Sequence, residues 1–232
     1  MKAILGYLLV FHCVSIAIAQ DNYNGQSVQN LKEIFAKGEI EGHIRNFFMS
    51  TLNNRGLKDY YTNALGGAIA FKTNEYMGFE LGVKGTFTYQ TFSADLNEPD
   101  QTTGGISKWE RELYDINDLD NFNDLDRLEK LYIKYNFQNG YATYGKLAIE
   151  ETPLLNESDG RMKPYAFKGI WLQLFKGKHV FNLSWLDRIW PRSTVEWYDF
   201  DEANGLVKNG FQPDGRPPDY RDDTASRGIA SF

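Results

Sequence analysis

The stretch Met77–Gln90, MGFELGVKGTFTYQ, alternates along most of its length between apolar residues and small or polar residues. Its apolar positions are Met77, Phe79, Leu81, Val83, Phe87 and Tyr89. Because successive side chains of a β-strand point to opposite faces, this stretch predicts a strand with one apolar and one polar face. It is also longer than the roughly five or six residues of most strands in soluble proteins, and this length favours a membrane crossing.

The same alternation recurs between residues 38 and 190 and predicts about seven strands in all. The other segments are residues 38–50, 64–72, 130–138, 141–149, 170–174 and 181–188. Short connections alternate with long ones, as in barrels whose turns lie on one side of a membrane and whose loops lie on the other. These features predict an all-β fold, an antiparallel transmembrane β-barrel of which the chain forms a part. A soluble sandwich of two antiparallel sheets is the alternative that periodicity alone leaves open.

Lys2 precedes an apolar run that ends in Ala17-Ile18-Ala19, a pattern that predicts a cleaved signal peptide. A membrane anchor helix is the alternative, but the run is shorter than the roughly 20 residues that a bilayer requires. The only cysteine, Cys13, lies in this run, and export without a disulfide fits a Gram-negative envelope protein. The predicted organisation is a signal peptide at 1–19, a periplasmic segment with a short helix at 20–37, barrel strands at 38–190, and an extracellular loop with the start of a longer remainder at 191–232.

Composition excludes several classes of protein. The 232-residue chain has a formal net charge of −6, which argues against a nucleic-acid binder with its basic surface. A mean hydropathy of −0.50 excludes a helical membrane bundle, although the two faces of a barrel average out in this value. Beyond the signal peptide the histidines are His43 and His179, and no nucleophile motif surrounds them. We therefore expect neither an enzyme nor a bound cofactor.

Two segments of the chain carry a family resemblance. Residues 31–48 read LKEIFAKGEIEGHIRNFF, and Gly145-Lys146 is followed by ETPLLNESDGRMKP at 151–164 and by Phe167-Lys168-Gly169. From Gly38 to Arg192 the chain resembles the OprD family of outer-membrane porins, in the form seen in Bacteroidetes-like envelopes. The resemblance implies a monomeric pore of about eighteen strands that often associates in the membrane and passes small solutes, many of them carboxylates such as amino acids and organic acids. Since about seven strands are too few to close such a barrel, we expect the chain to be an N-terminal fragment.

The polar face of a pore needs charged side chains, because they meet solutes that have lost part of their hydration. The acids on the predicted inward register are few, namely Glu39, Glu41 and Glu80. The cations on that register form a predicted basic ladder suited to anions: Arg45, Lys72, Lys84, Lys134, Lys146 and Arg188. For each of these cations the alternative is ordinary filling of the lumen.

The family resemblance also implies that the loop at residues 150–165 folds inward and narrows the channel. The expected pore constriction consists of Asp159, Arg161 and Lys163, with Asp159 and Arg161 setting a transverse field. The alternative is that Asp159 and Arg161 pair and hold the loop against the wall. The loop at residues 93–127 is rich in aspartate, but it lacks the glycine and glutamate of an EF-hand calcium loop, so solvated surface is favoured over a metal site.

The expected function is that of a porin in the Gram-negative outer membrane. We expect a passive, solute-selective diffusion channel for small hydrophilic solutes, surrounded by membrane lipid and capable of association with further copies of itself. The alternative is a structural or adhesive outer-membrane barrel whose long loops bind partners, which the length of the 93–127 loop permits. That alternative leaves the string at residues 151–164 unexplained.

Overall fold

The computed structural model describes residues 16–19 (backbone only), 30–54, 56–118, 120–122, 125–147, 149, 161–200, 202–203 and 228–231. Among these residues, no helix combines the length and the apolar character that crossing a bilayer demands. The helix α1, Leu31–Ala36, begins after Asn30, whose side-chain oxygen accepts a hydrogen bond from the backbone amide of Glu33. This cap satisfies one of the free amides at the helix start, and the helix precedes the first long strand as predicted.

The strands of the described residues form one antiparallel sheet. In chain order they are β1 (Ile16–Ala19), β2 (Glu39–Thr51), β3 (Tyr60–Lys72), β4 (Phe79–Ser93), β5 (Leu125–Phe137), β6 (Gly140–Leu147), β7 (Ala166–Lys176), β8 (His179–Trp190), β9 (Tyr198–Asp199) and β10 (Ile229–Ser231). From β2 to β8 each strand pairs with the next one in the chain, while β1 pairs with β2, and β9 and β10 pair with β8. This open sheet confirms the prediction of long antiparallel strands arranged in sequence order.

One face of the sheet, called here the outer face, is covered with apolar side chains. Its cross-strand neighbours are apolar on both strands, as in the pairs Phe71↔Val83, Val83↔Leu131, Ile170↔Trp185 and Leu172↔Leu183. Leu131 and Trp185 are among its exposed members. In a sandwich a second sheet would cover such a face, whereas the described strands all belong to one sheet, so the sandwich alternative is wrong. The opposite, inner face combines a polar groove with apolar clusters.

Two of the β-bulges change which face a side chain reaches. Between β4 and β5, Lys84 pairs with Lys130 and Gly85 with Leu128, so that Glu129 is the extra residue. Between β7 and β8, the partners of Lys168 and Gly169 are Arg188 and Leu186, so Asp187 is the extra residue. Because an extra residue reverses the alternation beyond it, residues on the two sides of a bulge no longer follow one simple pattern.

The two ends of the sheet differ in what covers the inner face. The long connections at residues 94–124 and 148–165 lie at one end, called the loop side, and the short connections at 73–78, 138–139 and 177–178 lie at the other, called the turn side. At the loop side an apolar cluster joins strands β3 and β5 to both long loops. Its buried members are Tyr60, Ala64, Leu96, Leu113, Tyr114, Leu125 and Met162. The described parts of both long loops therefore pack on the inner face at the loop side, and among the described residues its turn side is open.

Candidate functional site

The open part of the inner face forms a groove composed of two adjoining cavities. A cavity of about 440 Å³ lies over β2 to β5, and a cavity of about 280 Å³ lies over β5 to β7. Lys130 and Tyr132 line both, so the two cavities form one continuous groove. Further lining residues include Glu39, Glu41, His43, Lys72 and Lys84 in the first cavity and Lys134, Tyr141 and Trp171 in the second. The groove thus offers amines and aromatic rings along its length.

A buried charge cluster closes the groove on the loop side. Glu129 is fully buried, and its carboxylate lies 2.6 Å from the amine of Lys84 and 3.9 Å from the guanidinium of Arg127. The hydroxyl of Thr86 also donates to Glu129, at 2.7 Å. Arg127 lies 4.8 Å over the ring of Trp190. Since a buried carboxylate is costly unless paired, the bulge that turns Glu129 inward places it where two cations can stabilise it.

The described end of the inward loop, Arg161–Pro164, is called the return segment. Arg45 on β2 donates a hydrogen bond to the carbonyl of Arg161, and Arg127 on β5 donates one to the carbonyl of Pro164. Met162 packs over Gly66 of β3, where an added Cβ would lie 2.7 Å from the Met162 methyl group. The expectation that this loop folds inward therefore holds for residues 161–164. Asp159 lies outside the described residues.

Arg161, a predicted constriction residue, connects the return segment to the other long loop. Its guanidinium lies 2.5 Å from the carboxylate of Glu112 and 5.7 Å over the ring of Trp109. Arg192 reaches the same carboxylate at 3.0 Å. Planar guanidinium groups around one carboxylate make charge-assisted hydrogen bonds, so this arrangement fixes the position of the return segment. Arg161 thus holds its loop in place through an ion pair, as the alternative to a pore constriction had it. The acid in this pair is Glu112, whereas that alternative named Asp159.

Lys163, the remaining constriction residue, faces the interior of the loop cluster. Its side chain is 1% exposed, and its amine donates to the carbonyl of Tyr114 at 3.4 Å. Burial, together with the nearby positive charge of Arg127, lowers the pKa of Lys163 to about 7. The prediction that its amine faces the lumen is therefore corrected, because protein atoms surround it.

Four members of the predicted basic ladder lie on the inner face: Arg45, Lys72, Lys84 and Lys134. Lys72 pairs with Glu39 at 2.9 Å, with both side chains partly exposed. The amine of Lys134 lies 4.5 Å over the ring of Tyr141. Glu80 accepts a hydrogen bond from the hydroxyl of Tyr132 at 3.0 Å. The ladder is thus interleaved with carboxylates and aromatic rings.

Lys146 and Arg188, the other two ladder residues, lie on the outer face. Lys146 pairs across strands with Leu131 and Lys168, whereas its neighbour Leu147 faces inward and is buried. Alternation within residues 141–149 puts the apolar Leu147 and Ile149 on the face opposite Lys146, and both belong to an inner cluster with Phe167 and Trp171. Arg188 is displaced by the β7–β8 bulge. Both inward predictions are therefore corrected.

The sequence reading missed Arg127, Glu129, Glu112 and Lys130. The consecutive charged residues Glu129-Lys130 interrupt an otherwise regular alternation, and this interruption was the available signal of a bulge. Glu112 lies in the loop at residues 93–127, which was predicted to be solvated surface because it is rich in aspartate. Asp115 in that loop is instead 5% exposed, so the prediction of solvation is wrong there.

Other carboxylates of the long loop shape its backbone. Asp100 accepts hydrogen bonds from the backbone amides of Lys58, Thr102 and Thr103, and these bonds lower the pKa of Asp100. Asp115 accepts from the amide of Asn117 in the same manner. Among the described residues, no group of three or more His, Cys, Asp or Glu side chains is arranged to hold a metal ion.

Comparison with known proteins identifies one similar solved structure. No family model matches the chain, and no curated protein matches it. The chain is similar to the crystal structure of Pseudomonas aeruginosa OpdK with vanillate, with a TM-score of 0.50 and 17% sequence identity. The match covers 72% of this chain and 40% of that chain. At this identity the likeness concerns the fold alone.

The fold is an open, all-β antiparallel sheet of long strands, and it resembles the fold of OpdK. The likeness supports the fold class that the sequence predicted, long antiparallel strands in one sheet. This chain spans 40% of the length of OpdK, and the described strands form an open sheet.

Proposed function

We propose that the protein is an OprD-type outer-membrane channel through which small anionic solutes, carboxylates above all, diffuse passively. The observation that carries the proposal is the two-faced sheet of long strands, apolar outside and polar inside, with a return segment folded onto its inner face. Lipid satisfies the apolar face, and the groove supplies a polar path beside it. Because no catalytic constellation is needed for diffusion, the proposed channel is not an enzyme.

The carboxylate preference rests on the groove. Lys130 and Lys134 line it together with Tyr132 and Tyr141, while Lys84, which also lines it, is paired with the buried Glu129. Amines attract a carboxylate, and aromatic rings offer an apolar surface to the rest of the solute. OpdK was crystallised with vanillate, itself a carboxylate, and we extend that solute class to this chain.

The proposal includes a complete barrel and export. In lipid every backbone polar group must be paired, so the open sheet needs further strands between its edges. We propose that residues 1–19, which include β1, are removed as a signal peptide during export, so that β2 is an edge strand of the exported sheet. We propose further that additional strands complete a larger barrel and that barrels associate in the outer membrane.

Reconstitution of the complete protein into planar lipid bilayers tests the channel. We expect ion conductance. In a potassium chloride gradient, the reversal potential should shift toward the equilibrium potential of chloride. Absence of conductance would refute the channel, and cation preference would refute the anion-selective form. In liposome swelling assays, glutamate should enter faster than glutamine, which has nearly the same size without the net negative charge.

The return segment provides a second test. Arg161→Ala removes the ion pair with Glu112 that holds this segment, so we expect higher single-channel conductance. Lys178→Ala, in the exposed β7–β8 turn, is the control and should leave conductance unchanged. Equal conductance of the Arg161 variant and the wild type would show that the segment does not limit flow.

A further inference from the structure

Three cations stand side by side on the outer face. Lys146 of β6 lies directly opposite Lys168 of β7, and Lys168 lies directly opposite Arg188 of β8. They share this face with the exposed residues Tyr144 and Ile170. A contiguous basic row therefore interrupts a largely apolar surface, on which the exposed Asp126 of β5 also lies, opposite Phe87.

The row lies near the loop side of the sheet. The Lys146–Lys168 pair is next to the last registered pair of β6 and β7, Leu147↔Phe167. Arg188 lies shortly before the loop-side end of β8 at Trp190. A charged residue on the lipid face of a barrel costs about 2–4 kcal/mol at the bilayer midplane but only about 0–1 kcal/mol near an interface. The energetics therefore favour a position of this row at the level of the lipid headgroups.

Like charges directly opposite each other on neighbouring strands destabilise a sheet, so a bound anion would stabilise this row of cations. Within the described residues, the acid that forms an ion pair with the row is Asp199, which lies 3.3 Å from Arg188 with both side chains about half exposed. The amine of Lys146 lies 5.4 Å over the ring of Trp197 and 5.7 Å over that of Trp190. Trp197 is partly exposed, as is typical of aromatic side chains at a membrane interface, whereas Trp190 is buried against Arg127.

We propose that Lys146, Lys168 and Arg188 bind the phosphate groups of an anionic lipid in the leaflet on the loop side. Charge complementarity identifies the occupant, because the row faces lipid and a phosphorylated headgroup is the anion available at that depth. Amines and a guanidinium are suited to phosphate, the guanidinium as a bidentate donor. The inference rests on the proposed membrane location, and it is independent of which solute passes through the channel.

The test uses the complete protein in detergent and lipid A carrying two phosphates. Native mass spectrometry counts the lipid A molecules bound over a concentration series. We expect the double variant Lys146→Gln/Lys168→Gln to bind about tenfold more weakly or worse, since two charge-assisted contacts are lost. The matched control Lys176→Gln/Lys178→Gln removes the same charge at the turn side and should bind like the wild type.

Further arms separate the outcomes. Dephosphorylated lipid A should bind no better to the wild type than to the double variant. The variant Lys146→Arg/Lys168→Arg keeps both charges and should retain lipid A binding. It keeps the test decisive if the glutamine variant fails to fold. Equal lipid A binding by the wild type and the glutamine variant would overturn the site. So would inorganic phosphate binding as tightly as lipid A. Lipid binding with this pattern but without conductance would refute only the channel, and conductance with equal lipid binding would refute only the lipid site.

Discussion

Two lysine–glutamate ion pairs on the inner face lie in contrasting surroundings. Lys84 and Glu129 are 2.6 Å apart, with side chains 18% and 0% exposed. Lys72 and Glu39 are 2.9 Å apart at the turn side, with side chains 44% and 42% exposed. The residue types and the distances are nearly the same, so the surroundings make the difference. Glu129 lies beside Arg127, which is bonded to the return segment, whereas Lys72 and Glu39 line the open groove.

The contrast separates structural charges from charges available to solutes. A buried ion pair becomes strongly destabilising when one partner is removed, because the other charge stays desolvated. An exposed pair contributes little to stability, because water already solvates both groups. We infer that the loop side of the inner face maintains the fold, while the turn side presents charges to whatever enters the groove.

The largest expected effect is the loss of the buried acid. Glu129→Gln should lower the free energy of unfolding by about 3–5 kcal/mol, because Lys84 and Arg127 would keep their charges without a counter-ion. Urea unfolding in lipid vesicles, followed by tryptophan fluorescence, measures this change. Glu39→Gln is the matched control and should cost less than about 1 kcal/mol. Equal losses in the two variants would remove the distinction between the two pairs.

Lys163, a further buried cation at the loop side, should make the stability of the fold depend on pH. Its pKa of about 7 in the folded chain lies below the ordinary lysine value of about 10.4, so between these values the unfolded chain binds more protons. Stability should therefore rise as pH increases from about 7 to 10, by at most about 1.4 kcal/mol per pH unit. Unfolding curves over this range should show that Lys163→Met loses the slope and that Lys178→Met keeps it. Parallel curves for Lys163→Met and wild type would contradict the prediction.

Gly66 tests the close packing of β3 against both β4 and the return segment. An alanine methyl group there meets the Met162 methyl group and the carbonyl of Phe87, so Gly66→Ala should cost about 1–3 kcal/mol of stability. Gly85 on the neighbouring strand is the control, since an added Cβ has no atom within 4 Å. Gly85→Ala should change the free energy of unfolding by no more than about 0.5 kcal/mol. Equal changes at the two glycines would show that the packing at Gly66 is loose.

Much of the fold was predictable because strand alternation is local. The stretch from Met77 to Gln90 defines its own two faces, and β4 has the register that its sequence predicts. The bulges were not predictable from alternation, and they moved Glu129 to the inner face and Arg188 to the outer face. These shifts depend on cross-strand pairing, which residues far apart in the chain determine.

The candidate site was predictable only in part. Lys72, Lys84 and Lys134 lie in the groove as their register predicted. Lys163 was misplaced because its burial depends on Tyr114, which belongs to another loop. Likewise Lys146 was expected on the inner face, whereas its apolar neighbour Leu147 occupies that face and packs against Phe167 and Trp171. Tertiary coverage by loops has no periodic signal in a sequence.

The smallest expected effect concerns selectivity at the exposed pair. Glu39→Gln leaves the amine of Lys72 in the groove without its partner carboxylate, so anion preference should rise while stability barely changes. The interaction of two such charges in water is about 1 kcal/mol at 4 Å, so relative anion permeability should change by roughly fivefold at most. Reversal potentials of the reconstituted complete protein measure this change, and screening should abolish most of it at 1 M salt. Glu75→Gln in the exposed β3–β4 turn removes the same charge outside the groove lining and should have a smaller effect. An equal shift in both variants would mean that net charge at the turn side, rather than the Lys72–Glu39 pair, sets the preference.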